Sequence, residues 1–113
     1  MILAPGEKVH MVERRYFADD VRRHVAGEVL DCTDHAIRLR GHVWVFDSAQ
    51  GRFVQKPAIR ERVVCMGSRL IINVLPPEAD LEAIRYIADP LKGLQVTDEK
   101  SFSLEITEFT AMR

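Results

Sequence analysis

The chain has 113 residues, 47% hydrophobic and 29% charged, the balance of a single soluble globular domain. Sixteen basic residues against seventeen acidic ones leave a net charge of −1, which excludes a broad polycationic surface for nucleic acid or anionic membrane. No apolar run approaches the roughly 20 residues of a membrane-spanning helix, and the opening MILAPGEKVH has neither the basic flank nor the apolar stretch of a signal peptide.

Charge is unevenly spread: residues 1–62 carry 11 Lys and Arg against 9 Asp and Glu, and residues 63–113 carry 5 against 8. All four histidines lie in the basic part. Cys32 and Cys65 are too distant for a CxxC motif and read as reduced, buried thiols, which points to the cytoplasm.

Five alternating segments follow in chain order, each closed by turn-forming residues. The first is KVHMVERRYF (8–17), ended by Ala18-Asp19-Asp20, and the second is VRRHVAGEVLDC (21–32). The third, HAIRLRGHVWVF (35–46), meets the fourth, RFVQKPAIRERVVCM (52–66), across the turn Asp47-Ser48-Ala49-Gln50-Gly51. Residues 42–54 therefore read as a hairpin tip. The fifth, RLIINVL (69–75), stops at Pro76-Pro77, because proline cannot donate to a ladder.

Period-two alternation assigns faces. Ile37, Leu39, Val43 and Val45 share one side of the third segment and join Val25 and Val29 in a predicted core. Arg38, Arg40, His42, Trp44 and Phe46 share the other side, too polar for core and too aromatic for idle surface. Gly27 and Gly41 inside strands permit a sharp bend, and Pro57 marks a break in the fourth segment. The expected fold is all-β and mainly antiparallel: a small five-stranded bent barrel over residues 8–75 within a single domain 1–113.

After the prolines, EADLEAIRYIA predicts a short helix over 78–89, with Leu81, Ile84, Ile87 and Ala88 as its apolar stripe. LQVTDEKSFSLEITEF (94–109) predicts an extra hairpin turning at Asp98–Ser101.

Catalytic signatures are missing. There is no GxSxG elbow, Gly-rich phosphate loop or HExxH, so a non-enzyme without cofactor is expected. His10, His24, His35 and His42 lack short ligand spacing, so no metal site is expected. Cys65 shares a strand face with Ile59 and Val63 and reads as an inert buried thiol. Around the first turn, Arg14, Arg15, Tyr16, Arg22, Arg23 and His24 mix basic and aromatic groups, a combination that holds phosphates and stacks bases. The simpler alternative is a solvated hairpin with Arg paired to Glu13, Asp19 and Asp20.

Two short motifs resemble those of the Sm-like family. GEVLDCTDHAIRL (27–39) follows the first, with Gly27 at its glycine, Val29 at its apolar position, His35 at its base-stacking ring and Leu39 in its strand. VVCMGSRLII (63–72) follows the second, with Gly67 at its glycine and Leu70 at its Ile position. Two positions depart from the pattern: Ile37 stands where the family has the Asn that reads a base edge, and Met66 where it has the Arg that sandwiches the base. The resemblance implies a homo-oligomeric, head-to-tail ring in which the fourth strand of one subunit pairs with the fifth of the next. Leu70, Ile71, Ile72, Val74, Val63, Val64 and Trp44 are the expected interface residues. Weak or sequence-independent RNA binding is then expected through His35, Arg38, Arg40, Arg14, Arg15, Arg22 and Arg23. The competing expectation is a structural or protein-binding module with no nucleic-acid contact.

Overall fold

A computed structural model describes residues 2–14, 17, 22–67 and 69–106. The chain divides into two compact units, Met1–Leu75 and Pro76–Arg113. The division falls where Pro76-Pro77 interrupts the ladder.

The first unit is built from β1 (Lys8–Glu13), β2 (Arg23–Cys32), β3 (Ala36–Asp47), β4 (Arg52–Gln55), β5 (Arg60–Cys65) and β6 (Leu70–Val74). They form one antiparallel sheet in the order β4-β3-β2-β1-β6, with β5 also pairing β3. The β3–β4 hairpin has the expected tip. Asp47 accepts from the backbone N–H groups of Ala49 and Gln50, and Gly51 adopts φ +67°. The long fourth segment splits around Pro57, so that Trp44–Asp47 pair with β4 while Ala36–Gly41 pair with β5.

The sheet is strongly curled. Met66 N–H donates to the His35 carbonyl at 2.7 Å, and Arg14 N–H donates to the Arg69 carbonyl, also at 2.7 Å. The chain from Met66 to Arg69 spans at most about 11 Å, so it draws the start of β3 toward the end of β1. Curling stops short of closure. Among the described residues β5 pairs with β3 and β6 with β1, but β5 and β6 do not pair with each other. The closed barrel expected from the sequence is therefore corrected to an open curled sheet. Its break at Pro57 and its short final strands leave two edges unjoined.

Inside the curl, Val25, Val29, Ile37, Leu39 and Val43 pack with Leu3, Val9, Met11 and Cys32, and Val45 packs half-buried against them. The opposite face departs from expectation. His42 and Trp44, assigned to an outward stripe, are buried, as are His10, His24 and Ala26. The middle of this sheet is covered on both sides, and its second layer is aromatic and imidazole rather than aliphatic.

In the second unit the predicted helix is absent. Residues 78–89 form one 3₁₀ turn, Leu81–Ala83, and then β7 (Arg85–Asp89). Asp80 accepts from Glu82 N–H to begin the turn, and Ile84 ends it in an extended conformation. The apolar spacing fits both periods: Ile84, Ile87 and Ala88 suit a helix, while Ile84, Tyr86 and Ala88 suit a strand. Pairing with β8 (Gly93–Thr97) decides for the strand, because Tyr86 then lies across from the fully buried Val96. β8 continues into β9 (Ser103–Glu105), which matches the predicted hairpin as far as the described residues reach.

The turn between them is organised by buried Asp98. Its carboxylate accepts from the N–H groups of Asp80, Lys100, Ser101 and Phe102 and from the Ser101 hydroxyl. Burial acts to raise its pKa, but the Ser101 hydroxyl and these backbone donors outweigh it and hold the carboxyl below the usual range. Among the described residues no helix is long and apolar enough to cross a membrane.

Candidate functional site

Two surfaces of the first unit hold the residues singled out by sequence: a basic rim and the two sheet edges.

On the rim, Arg14, Arg22 and Arg23 lie where β1 ends and β2 begins. Arg14 is exposed and its backbone is clamped to Arg69, whose Nη2 donates to the Arg14 carbonyl at 3.1 Å. Arg22 lies over the Phe46 ring at 5.0 Å, and Arg23 pairs with Glu13 at 3.8 Å. Arg15, with Tyr16, Asp19 and Asp20, lies outside the described residues. Farther along the sheet Arg38 pairs with Glu61 at 3.9 Å. Arg40 stands opposite Glu28 on one side and Glu61 on the other. Exposed pairs of this kind add little stability, but they cancel much of the positive potential expected of the stripe.

His35 sits in a turn that Thr33 builds. The Thr33 hydroxyl accepts from the N–H groups of His35 and Ala36, while Thr33 N–H donates to the Ala36 carbonyl. The ring is left exposed beside the Met66-Gly67 segment, which its carbonyl anchors. The two departures from the family pattern have direct structural expressions. Ile37 is fully buried in the core, and Met66 packs half-buried against that core. Gly67 has open space where a Cβ would stand and no left-handed backbone, so this fold places no steric demand for glycine there.

The edges sort the expected interface residues. Val63 on β5 is 60% exposed, and Ile71 and Val74 on β6 are 46% and 59% exposed. Val64, Leu70 and Ile72 instead pack against the core, and buried Trp44 is unavailable to a partner. Cys65, expected to be buried, is exposed. The pairing explains why: Val63 lies opposite Arg38 and Ala36 opposite Cys65, so Glu61, Val63 and Cys65 occupy the outer side of β5. Sequence reading grouped Cys65 correctly with Val63 and Ile59 but placed their shared face inside. Ile59, 47% exposed, extends the apolar β5 edge and was missed as a surface residue.

Among the described residues no three His, Cys, Asp or Glu side chains cluster closely enough to hold a metal ion. No family model, curated protein or solved structure matches this chain.

Proposed function

We propose that this chain is a non-enzymatic, Sm-like assembly module whose copies join head to tail, β5 of one against β6 of the next, into a homo-oligomeric ring. The observation that carries this reading is the pair of unjoined edges in one curled sheet, each with apolar side chains in water: Ile59 and Val63 on or beside β5, Ile71 and Val74 on β6. Edge strands of this kind are an aggregation hazard unless another strand covers them. Two different edges give a heterologous contact, which forms a ring when the rotation from copy to copy closes.

Light scattering on the purified chain is expected to give a multiple of the 12.9 kDa monomer mass. Ile71→Lys and Val63→Lys each place a charge at an edge and are expected to lower the mass to the monomer without unfolding the sheet. A wild-type monomer at all concentrations tested rules out the assembly.

A second reading, RNA contact, is favoured by exposed His35 and Arg14 at the two ends of the short 66–69 segment. Fluorescence anisotropy with short oligouridine is expected to show binding that weakens steeply with salt, reduced at least threefold in Arg14→Ala and in His35→Ala. If no binding is detected at low salt, the protein-assembly reading stands alone.

A further inference from the structure

The second face of the sheet carries a feature that neither assembly nor RNA contact uses. His10 on β1, His24 on β2 and His42 on β3 are 0%, 4% and 8% exposed. The His10 and His24 rings meet edge to face, 5.2 Å between centroids and 84° between planes. His24 also stacks on Phe53 at 4.4 Å. His10 and His42 lie on either side of Ala26, and His24 stands directly across from Trp44. Trp44 in turn meets the His42 ring at 6.0 Å. A sheet needing only a hydrophobic second face would fill these places with Val, Leu or Phe. Imidazoles pack as flat apolar rings when neutral and become cations in the range where other buried residues do not change charge.

We propose that the His10–His24 pair is an acid-sensitive latch, packed neutral in the folded sheet, whose protonation exposes the imidazole and aromatic face around Trp44. Burial lowers the His10 pKa to about 4. Burial first, then the charges of His10 and Arg22, lowers His24 to about 3. Both folded values lie below the unfolded value of 6.5, so the neutral pair contributes its full stability above that pH. That stability is lost as pH falls from 6.5 toward the folded values, because the open state binds protons that the closed one refuses.

The charged neighbours on this face reinforce the sign. From β1 comes Lys8, from β2 Glu28 and Asp31 with Arg22 just before it, from β3 Arg38, Arg40 and His42, and from β5 Glu61, while β4 offers Phe53 and Gln55 and β6 offers Ile71 and Asn73. Glu28 and Glu61 are exposed and stand on either side of Arg40 in the ladder, Glu28 also stands across from Lys8, and Glu61 pairs with Arg38 at 3.9 Å. Bringing the second imidazolium beside the first adds repulsion, which makes the opening cooperative.

Trp44 is the only tryptophan in the chain and therefore reports on this face without a label. Titrating the intact protein from about pH 8 to pH 3 is expected to red-shift its emission in one reversible transition. That transition begins below the unfolded histidine value and consumes close to two protons. His24→Phe keeps the stack on Phe53 and is expected to move the midpoint down by about one pH unit and the slope toward one proton. Should that variant not fold, imidazole Cε1–H resonances of the wild type supply the test: those of His10 and His24 are expected to keep their neutral positions until the face opens. An unchanged midpoint in His24→Phe overturns the latch. So does titration of either resonance in the closed protein above about pH 6. A midpoint that moves with protein concentration also overturns it, since that would place the acid sensitivity at a contact between copies.

Discussion

Gly41→Ala is expected to unfold the first unit or to cost it at least about 3 kcal/mol, the upper part of the range for overpacking a core. Gly41 and Gly27 face each other across β2 and β3. A Cβ on Gly41 would overlap the Ala26 carbonyl oxygen and stand 2.5 Å from Gly27 Cα and 2.8 Å from the Ala26 carbonyl carbon. All three are backbone atoms of the adjacent strand, so no side chain can rotate away to make room. A Cβ on Gly27 meets the same obstacle, 2.5 Å from the Arg40 carbonyl oxygen. The two glycines let the strands approach and bend at the centre of the curl, so adding bulk there opposes the fold itself. For a domain whose whole stability is about 5–15 kcal/mol, a loss of this size dominates. Gly67→Ala is the matched control: with nothing near its Cβ, its unfolding free energy from urea denaturation is expected to stay within about 0.5 kcal/mol of wild type. Equal effects from the two substitutions refute the close-approach account.

The strands were legible because alternation and turn chemistry act locally. Asp47 and Gly51 specify the β3–β4 tip through their own hydrogen bonds and backbone, and Pro57 breaks the ladder wherever the chain runs. Region 78–89 was not legible, because Ile84, Tyr86, Ile87 and Ala88 satisfy a helical and an alternating period at once. Only the pairing of Tyr86 with Val96 breaks that tie, and pairing is a long-range fact. Closure was misread for the same reason: local pattern shows that strands bend, not whether the last two meet.

The candidate site was legible in position more than in environment. His35 and Arg14 are exposed as expected, but Arg38 faces Glu61, and Arg40 stands between two glutamates that alternation alone could not register against it. His42 and Trp44 were given to an outward stripe because their side chains are polar or amphipathic, and His10 and His24 were not recognised as part of the same buried face. The available signal was that polar and aromatic rings fell on one parity of three successive strands, a pattern that a solvated face has no need to maintain. Cys65 shows the converse error, an apolar residue given to the core because its strand neighbours were apolar. Its edge position left nothing to cover it.

Ile37→Asn makes the most direct trial of the family resemblance. It installs the side chain that the first motif has at this position, and on sequence alone it should restore a base-reading amide. The fold predicts otherwise. Ile37 is 0% exposed and packs among Val29, Leu39, Val43 and Cys32. Its backbone pairs with Cys32 on one side and Val64 on the other, so the side chain has no path to the exposed rim where His35 sits. Replacing it removes a buried aliphatic chain and brings an amide into a layer of hydrocarbon with nothing to accept from it. The two losses together are expected to cost about 4 kcal/mol, read as a lower urea midpoint with unchanged m-value. Oligouridine affinity is expected to fall or stay the same, never to rise. A stable Ile37→Asn protein with tighter oligouridine binding would reverse this: the start of β3 would then have to turn outward, and residue 37 would belong to a nucleotide site instead of to the core.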